Sequence, residues 1–328
     1  MVRENKIDRR VKEMRREDPS LKLSVARRLA QAEQDARVDE AAAPRLDAAL
    51  GITGPVSSWA PRATWAANER DVLVRIPLGP ERDHGQTAAG AVVDVAIGDP
   101  RHGGDGNGAL LGRANSGKSV LMREMVLAAA AKYSPDRITF ALVSFDEDWT
   151  FRDLDTLPHT LVHVAEGGDA VDQVARMWEI VEGELNRRRQ LLSDWDVDTA
   201  VEYRAKRGED LDRRNGTSAM PALPDLLLVA DEFGSYTSVS PGYLELFEAI
   251  GSTGADVGVY MLLSSHTLSG HRAQGLMEHI GFGIAKRVSL AADSRLLLGT
   301  AEALWLSGAI SGSIPVTRSS GSRIAGTA

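Results

Sequence analysis

Residues Gly112-Arg113-Ala114-Asn115-Ser116-Gly117-Lys118-Ser119 fit the pattern G-x-x-x-x-G-K-[ST] without a mismatch, and no other stretch limits the fold of this chain so tightly. Such a loop wraps backbone N–H groups around phosphates only if a strand delivers it and a helix leaves it. The helix N-terminus supplies the free amides and the positive end of the dipole. Both flanks are present. Ala109, Leu110 and Leu111 read as the end of a strand, and Val120 to Lys132 holds strong helix formers with no glycine or proline. The expected phosphate-binding set is therefore Gly112, Arg113, Ala114, Asn115, Ser116, Gly117, Lys118, Ser119 and Val120. Within it Lys118 is expected to reach the β- and γ-phosphates of ATP as a catalytic group, and the Ser119 hydroxyl to hold Mg²⁺.

A second motif follows in the order that such a loop requires. Asp225 opens the apolar run Leu226-Leu227-Leu228-Val229-Ala230, which ends in Asp231-Glu232. This reads as a buried parallel strand with two carboxylates at its C-terminal end. An acid there helps to hold the metal of a phosphate loop, which suits Asp231, and a following glutamate can polarise the attacking water, which makes Glu232 the catalytic base.

Composition narrows the classes further. At 328 residues and 43% hydrophobic, the chain can bury one sizeable core and carry a smaller extra region. It has no cysteine, which excludes disulfides and thiolate metal sites, and its seven histidines show no metal-ligand spacing, so metal is expected only with nucleotide. No run approaches the roughly 18 apolar residues of a membrane span, and the first ten residues lack the apolar core of a secretory signal. The expected location is the cytoplasm, peripheral to the inner membrane through partners. A net charge of −8 argues against a globally basic nucleic-acid binder.

Along the chain, residues 1–47 read as a charged helical arm of two helices broken at Asp18-Pro19-Ser20, with Ile7, Val11 and Met14 on one face of the first. Residues 48–70 mix glycine, proline and serine with two tryptophans and read as an ordered linker. The main domain is placed at 71–315 and a flexible tail at 316–328. Val72 to Pro77 and Ala91 to Ala96 are expected to pair as a β-element. Strands are then expected at 138–145, 226–230, 257–264 and 284–288, with helices at 169–192, 243–250 and 294–298. Such alternation predicts an α/β fold: a mostly parallel sheet flanked by helices, with ligands at the C-terminal strand ends.

The order of segments resembles the FtsK/SpoIIIE superfamily and, within it, the EccC ATPase domains of type VII secretion. The resemblance rests on Leu73 to Gly79, Gly112 to Ser119, Ser134-Pro135, Leu157-Pro158-His159 and Glu184 to Leu192. It continues through Leu223 to Phe233, Ala249-Ile250-Gly251, Leu262 to Ser265, Asp293-Ser294-Arg295 and Leu298-Gly299. It implies a RecA-like fold, ATP hydrolysis with Mg²⁺, oligomers with like or unlike ATPase domains, and work on a polymer. Three departures stand out. His266-Thr267 replaces the family's Gln-Arg, leaving Ser265 and His266 as an altered phosphate sensor; Ser252 and Ala255 stand where arginines are usual; and Asp146-Glu147-Asp148 makes a normally basic loop acidic. Arg287 and Arg295 lie near expected sheet edges, with an ion pair or a snorkelling side chain as their plainer reading.

The resemblance thus implies an ATP-driven motor subunit for type VII-like protein translocation, working beside a membrane-embedded translocon subunit. Two other readings stay open: a double-stranded DNA translocase of a mobile-element or chromosome-partition type, and a slow-turnover regulatory module that binds nucleotide.

Overall fold

The computed structural model describes residues 6–17, 58–83, 86–144, 150–164, 170–234, 242–268, 274–306, 315–318 and 323–325, with a few isolated positions between 23 and 55. Helix α1 (Lys6–Glu17) buries Val11 and Met14, two of the three apolar positions expected on its inner face. Of the second helix expected in the arm, Leu23, Ala26, Arg27 and Ala30 are described; all four are helical, and Ala26 and Ala30 are buried in one cluster with Val11. The acidic loop at 146–148 lies outside the described residues.

Helix α2 (Pro61–Asn68) starts on a proline, whose fixed φ suits the first turn. It rests on the phosphate-loop helix, α3 (Lys118–Lys132), where Trp65 Nε1 donates to Ala130 O at 3.0 Å and Asn68 Nδ2 to Lys132 O at 3.3 Å. Strands β1 (Val74–Asp83) and β2 (Gln86–Ile97) pair antiparallel as a separate two-stranded sheet, with Val74 opposite Ile97. Their apolar ends pack with α3.

The main sheet contains β3 (Asn107–Leu111), β4 (Ile138–Ser144), β5 (Thr160–Val164), β6 (Asp225–Asp231), β7 (Val259–Ser265) and β8 (Ile280–Ala285). Two short strands, β9 (Pro315–Arg318) and β10 (Arg323–Ala325), complete the order β10-β9-β8-β3-β7-β6-β4-β5. The first six run parallel, and β9 and β10 are antiparallel additions at the β8 edge. These additions fall in and next to 316–328, the stretch read from sequence as a tail.

Strands β3, β4, β6 and β7 are buried throughout, because alternate residues feed opposite cores. Leu227, Val229 and Leu262 join Met122, Met125 and Val126 of α3 on one face. Leu226, Leu228 and Leu263 join the other face, with Met177, Val181 and Leu185 of α4 (Ala170–Asp194) and with Leu246, Phe247 and Ile250 of α6 (Gly242–Thr253).

Several assignments differ from the sequence reading: α2 falls in the stretch read as a linker, and β5 and the β9–β10 pair have no expected counterpart. Strand β8 begins at Ile280 rather than Ile284, since Gly281 and Gly283 are packing residues there and not breakers. A Cβ at Gly281 would meet Asp105 O at 2.0 Å, and one at Gly283 would meet Leu297 Cγ at 2.7 Å. Helix α5 (Ala200–Arg213) has no counterpart in the sequence reading. It starts at Thr199, whose hydroxyl accepts from Glu202 N at 3.2 Å, while Glu202 reaches back to Asp198 N at 3.0 Å, close to a capping box.

Buried charges pin the N-terminal end of the sheet. Asp225, at the start of β6, accepts from Arg137 Nη1 at 2.7 Å and from Arg204 Nη1 at 2.8 Å. Arg188 is fully buried, ion-paired to Glu184 at 2.7 Å and donating to the carbonyls of Val257 and Gly258. Burial pushes the Arg188 guanidinium below its ordinary range, and Glu184 opposes that push. The family-like run from Glu184 is therefore, in part, a strap between α4 and the turn before β7.

Candidate active site

The sheet order decides where the two motifs meet. Strand β7 lies between β3 and β6, with Leu111 beside Ser265 and Ala230 beside Leu263. The loop leaving β3 and the acids ending β6 therefore open on the same sheet edge, one strand apart, where parallel α/β sheets place their ligands.

The loop is built for close approach. Asn115 (φ 58°) and Gly117 (φ 84°) both take left-handed backbone conformations, and α3 starts at Lys118. Gly112 N donates to Ser265 O at 3.2 Å and Arg113 N to Arg287 O at 2.8 Å, which ties the loop to the ends of β7 and β8. A Cβ at Gly112 would lie 2.5 Å from Ser116 Oγ and 2.9 Å from Lys286 Cβ, so only glycine fits. Arg113, Ala114, Asn115 and Val120 are exposed, Gly117 and Ser119 half-buried, and Ser116 and Lys118 buried. The Ser116 hydroxyl is buried without a hydrogen-bond partner. A buried hydroxyl left unpaired beside a tight glycine turn suits a loop that closes on phosphate oxygens, so the residues fit ATP and Mg²⁺.

Lys118 is already engaged. Its Nζ lies 2.7 Å from Glu232 Oε1 and 2.8 Å from His266 Nδ1. His266 Nδ1 is also 3.1 Å from Glu232 Oε1 and 3.4 Å from Gly112 O. The Lys118 and Glu232 side chains are 3% and 6% exposed, so this ion pair is largely shielded from water. Glu232 has φ 56°, uncommon for a residue other than glycine, immediately after β6.

Asp231 is 1% exposed and accepts from the Thr150 hydroxyl at 2.7 Å and from the Ser264 hydroxyl. Ser264 also accepts from Glu232 N at 3.0 Å. Arg123 of α3 carries the 150–152 segment, donating to Thr150 O at 3.3 Å and Arg152 O at 2.6 Å. Thr150 and Arg123 carry no sequence signal of such a role. Ser264 had one, as the first of the two serines that end an otherwise apolar run.

The structure thus brings Lys118, Glu232 and His266 into one cluster and sets Asp231 in a hydroxyl clamp next to it. Ser265, the other expected sensor, is turned to its own loop, with its hydroxyl donating to Thr267 O at 2.8 Å. Arg295 is exposed on α7 (Ala291–Leu298). Ser252, at an expected arginine position, donates to Ala249 O at the end of α6.

The sequence profile of the FtsK/SpoIIIE family matches residues 66–294. The ESX secretion system protein EccC of Thermomonospora curvata is 32% identical over 247 residues, which is 75% of this chain and 18% of that protein. The ESX-4 secretion system protein EccC4 of Mycobacterium tuberculosis is 33% identical over 261 residues, 78% of this chain and 20% of its own length. Among solved structures, the cytoplasmic domain of the T. curvata type VII secretion ATPase EccC aligns with a TM-score of 0.74 at 28% identity, covering 88% of this chain and 32% of that one. The chain therefore spans about a fifth of the length of these curated relatives. With the phosphate loop, the acid pair and the RecA-like sheet assembled at one edge, and a family profile running across most of the sequence, the chain belongs to the FtsK/SpoIIIE family of P-loop ATPases.

Proposed function

We propose that this chain is an ATP-hydrolysing motor domain of the EccC type that drives protein translocation in a type VII-like secretion system. The observation that carries the reading is the contact of Lys118 with Glu232 at the strand ends, which puts the phosphate-binding cation and the general base within one side chain's reach of the same ligand. Lys118 would exchange Glu232 for the terminal phosphates of ATP. Glu232, released from that pairing, would accept a hydrogen bond from the attacking water and align it. Ser119 and Asp231 would hold Mg²⁺, which when bound neutralises phosphate charge and orients the reacting oxygens. His266, touching both Lys118 and Glu232, would sense whether the phosphate is present.

A protein cargo is supported by the EccC relatives, whose names describe secretion systems, and a net charge of −8 weighs against a long duplex-DNA path. Among the described residues no helix is long and apolar enough to cross a membrane. The partners that the EccC relatives suggest are a membrane-embedded translocon subunit and further ATPase domains. The test is Mg²⁺-dependent ATP turnover in the wild type against Glu232→Gln and Lys118→Ala, with duplex DNA added in a parallel arm. Turnover lost in both variants and indifferent to DNA supports the reading, and stimulation by DNA reassigns the cargo. The Lys118–Glu232–His266 cluster also favours a second reading, a slow-turnover nucleotide-binding module, because the site occupies its own cation. Wild-type turnover no faster than Glu232→Gln would establish that alternative.

A further inference from the structure

The two acids that end β6 are not held independently, because one hydroxyl from the neighbouring strand touches both. Ser264 is fully buried, donates its O–H to Asp231 Oδ1 and accepts the Glu232 N–H at 3.0 Å. A serine hydroxyl has one donor and two acceptor lone pairs, so these two bonds fix its rotamer and the placement of both partners together. Thr150 offers a contrast. It is equally buried, and its hydroxyl donates to Asp231 Oδ2 at 2.7 Å, with no contact to Glu232 among the described hydrogen bonds. Glu232 needs the extra hold, since its left-handed backbone (φ 56°) is a conformation that a residue with a Cβ keeps only when its surroundings enforce it.

We infer that Ser264 is the positioning residue that sets the catalytic base and the metal-site acid as one unit, whereas Thr150 orients the metal-site acid alone. The inference rests on the proposed roles of Glu232 and Asp231. The parallel register supplies its cause. Ala230 lies beside Leu263, which puts the next residue of each strand, Asp231 and Ser264, side by side where the sheet ends. Ser265, one residue on, points its hydroxyl into its own turn and cannot replace it.

The experiment compares Ser264→Ala with Thr150→Ala in the full chain, using one readout that needs no nucleotide and two that do. In the apo protein, amide hydrogen exchange at Glu232 is expected to speed up by about tenfold or more in Ser264→Ala and to stay unchanged in Thr150→Ala. For turnover, Ser264→Ala is expected to lower kcat by about tenfold at saturating Mg²⁺, with KM for ATP moving less than about threefold. Thr150→Ala is expected to raise the Mg²⁺ concentration for half-maximal binding of a non-hydrolysable ATP analogue by about threefold or more, and to lower kcat at saturating Mg²⁺ by less than Ser264→Ala does. Ser264→Cys, with a weak donor in the same position, is expected to fall between wild type and Ser264→Ala, and it serves the same assays if the alanine variant does not fold. Unchanged Glu232 exchange in Ser264→Ala, or the same profile in both alanine variants, overturns the inference. A wild type without turnover would instead fail the proposed function, and the exchange and analogue-binding arms would still decide the role of Ser264.

Discussion

Replacing Glu232 by glutamine removes the charge that holds Lys118 in the nucleotide-free site while keeping the shape of the side chain. Lys118 and Glu232 meet at 2.7 Å with 3% and 6% side-chain exposure, so solvent screens the pair little. ATP must take Lys118 from this partner, and the partner's strength is therefore subtracted from the affinity for ATP. With glutamine the Lys118 ammonium keeps a charge-assisted hydrogen bond but loses the opposite charge, which moves the contact from the upper to the lower end of the range of about 1.5–3 kcal/mol for such bonds and weakens the competitor by about 1–1.5 kcal/mol. At about 1.4 kcal/mol per factor of ten, the Kd for ATP is expected to fall roughly five- to tenfold. Calorimetric titration of both proteins with a non-hydrolysable ATP analogue measures this without interference from turnover. The apo protein should melt earlier in the variant, and the rise in Tm on adding nucleotide should be larger, because the uncompensated Lys118 charge regains a partner only when phosphate arrives. An unchanged or weaker Kd in Glu232→Gln would refute the idea that the acid competes for the lysine.

Other consequences can be measured alongside. Gly112→Ala should abolish nucleotide binding and cost about 1–3 kcal/mol in stability, since Ser116 Oγ can rotate away from the new methyl but Lys286 Cβ cannot, as analogue titration and thermal melting would register. Arg137→Ala should destabilise by about 1.5–3 kcal/mol and Arg204→Ala by less, because each leaves Asp225 one arginine but Arg137 is the more buried partner and also donates to Asp71 O and Val72 O; denaturant unfolding compares the two. Burial pushes the imidazole of His159 below its ordinary value, and its Nδ1 has no partner while Nε2 lies 2.8 Å from Tyr133 O. A group whose folded pKa is depressed binds fewer protons folded than unfolded. Its stabilisation is therefore complete above the unfolded value near 6.5 and is lost as pH falls from there through the folded value. The fall in Tm between pH 7.5 and pH 5 should be shallower in His159→Phe than in the wild type, and equal slopes would count against this assignment.

Much of the fold was legible from local pattern. The phosphate loop declares itself because its glycines, lysine and serine are contiguous, and the strand ending in Asp231-Glu232 because its apolar run is unbroken. The pairing of β1 with β2 and most of the parallel strands of the main sheet follow from the same periodicities, whereas the partly exposed β5 gives no such signal. Strand β8 starts ahead of the expected Ile284 because Gly281 and Gly283 add nothing to an apolar run, while their missing side chains make room for Asp105 O and for Leu297. Helix α5 went unread although Thr199 and Glu202 mark its start, because its exposed, charged face gives a weak apolar stripe.

The sequence by itself determined the chemistry available, a lysine and hydroxyl in a glycine loop and two acids at a strand end, since each motif is written in adjacent residues. Only the tertiary structure decided how they meet. Strand β7 between β3 and β6 carries Ser264 to Asp231 and Glu232 and lets Lys118 close on Glu232 and His266, while β4 on the other side of β6 leads to the 150–152 segment, which Arg123 of α3 holds against Asp231. Those contacts join residues up to 148 positions apart. No local pattern encodes them, because they depend on strand order and register, which the packing of both faces of the sheet selects.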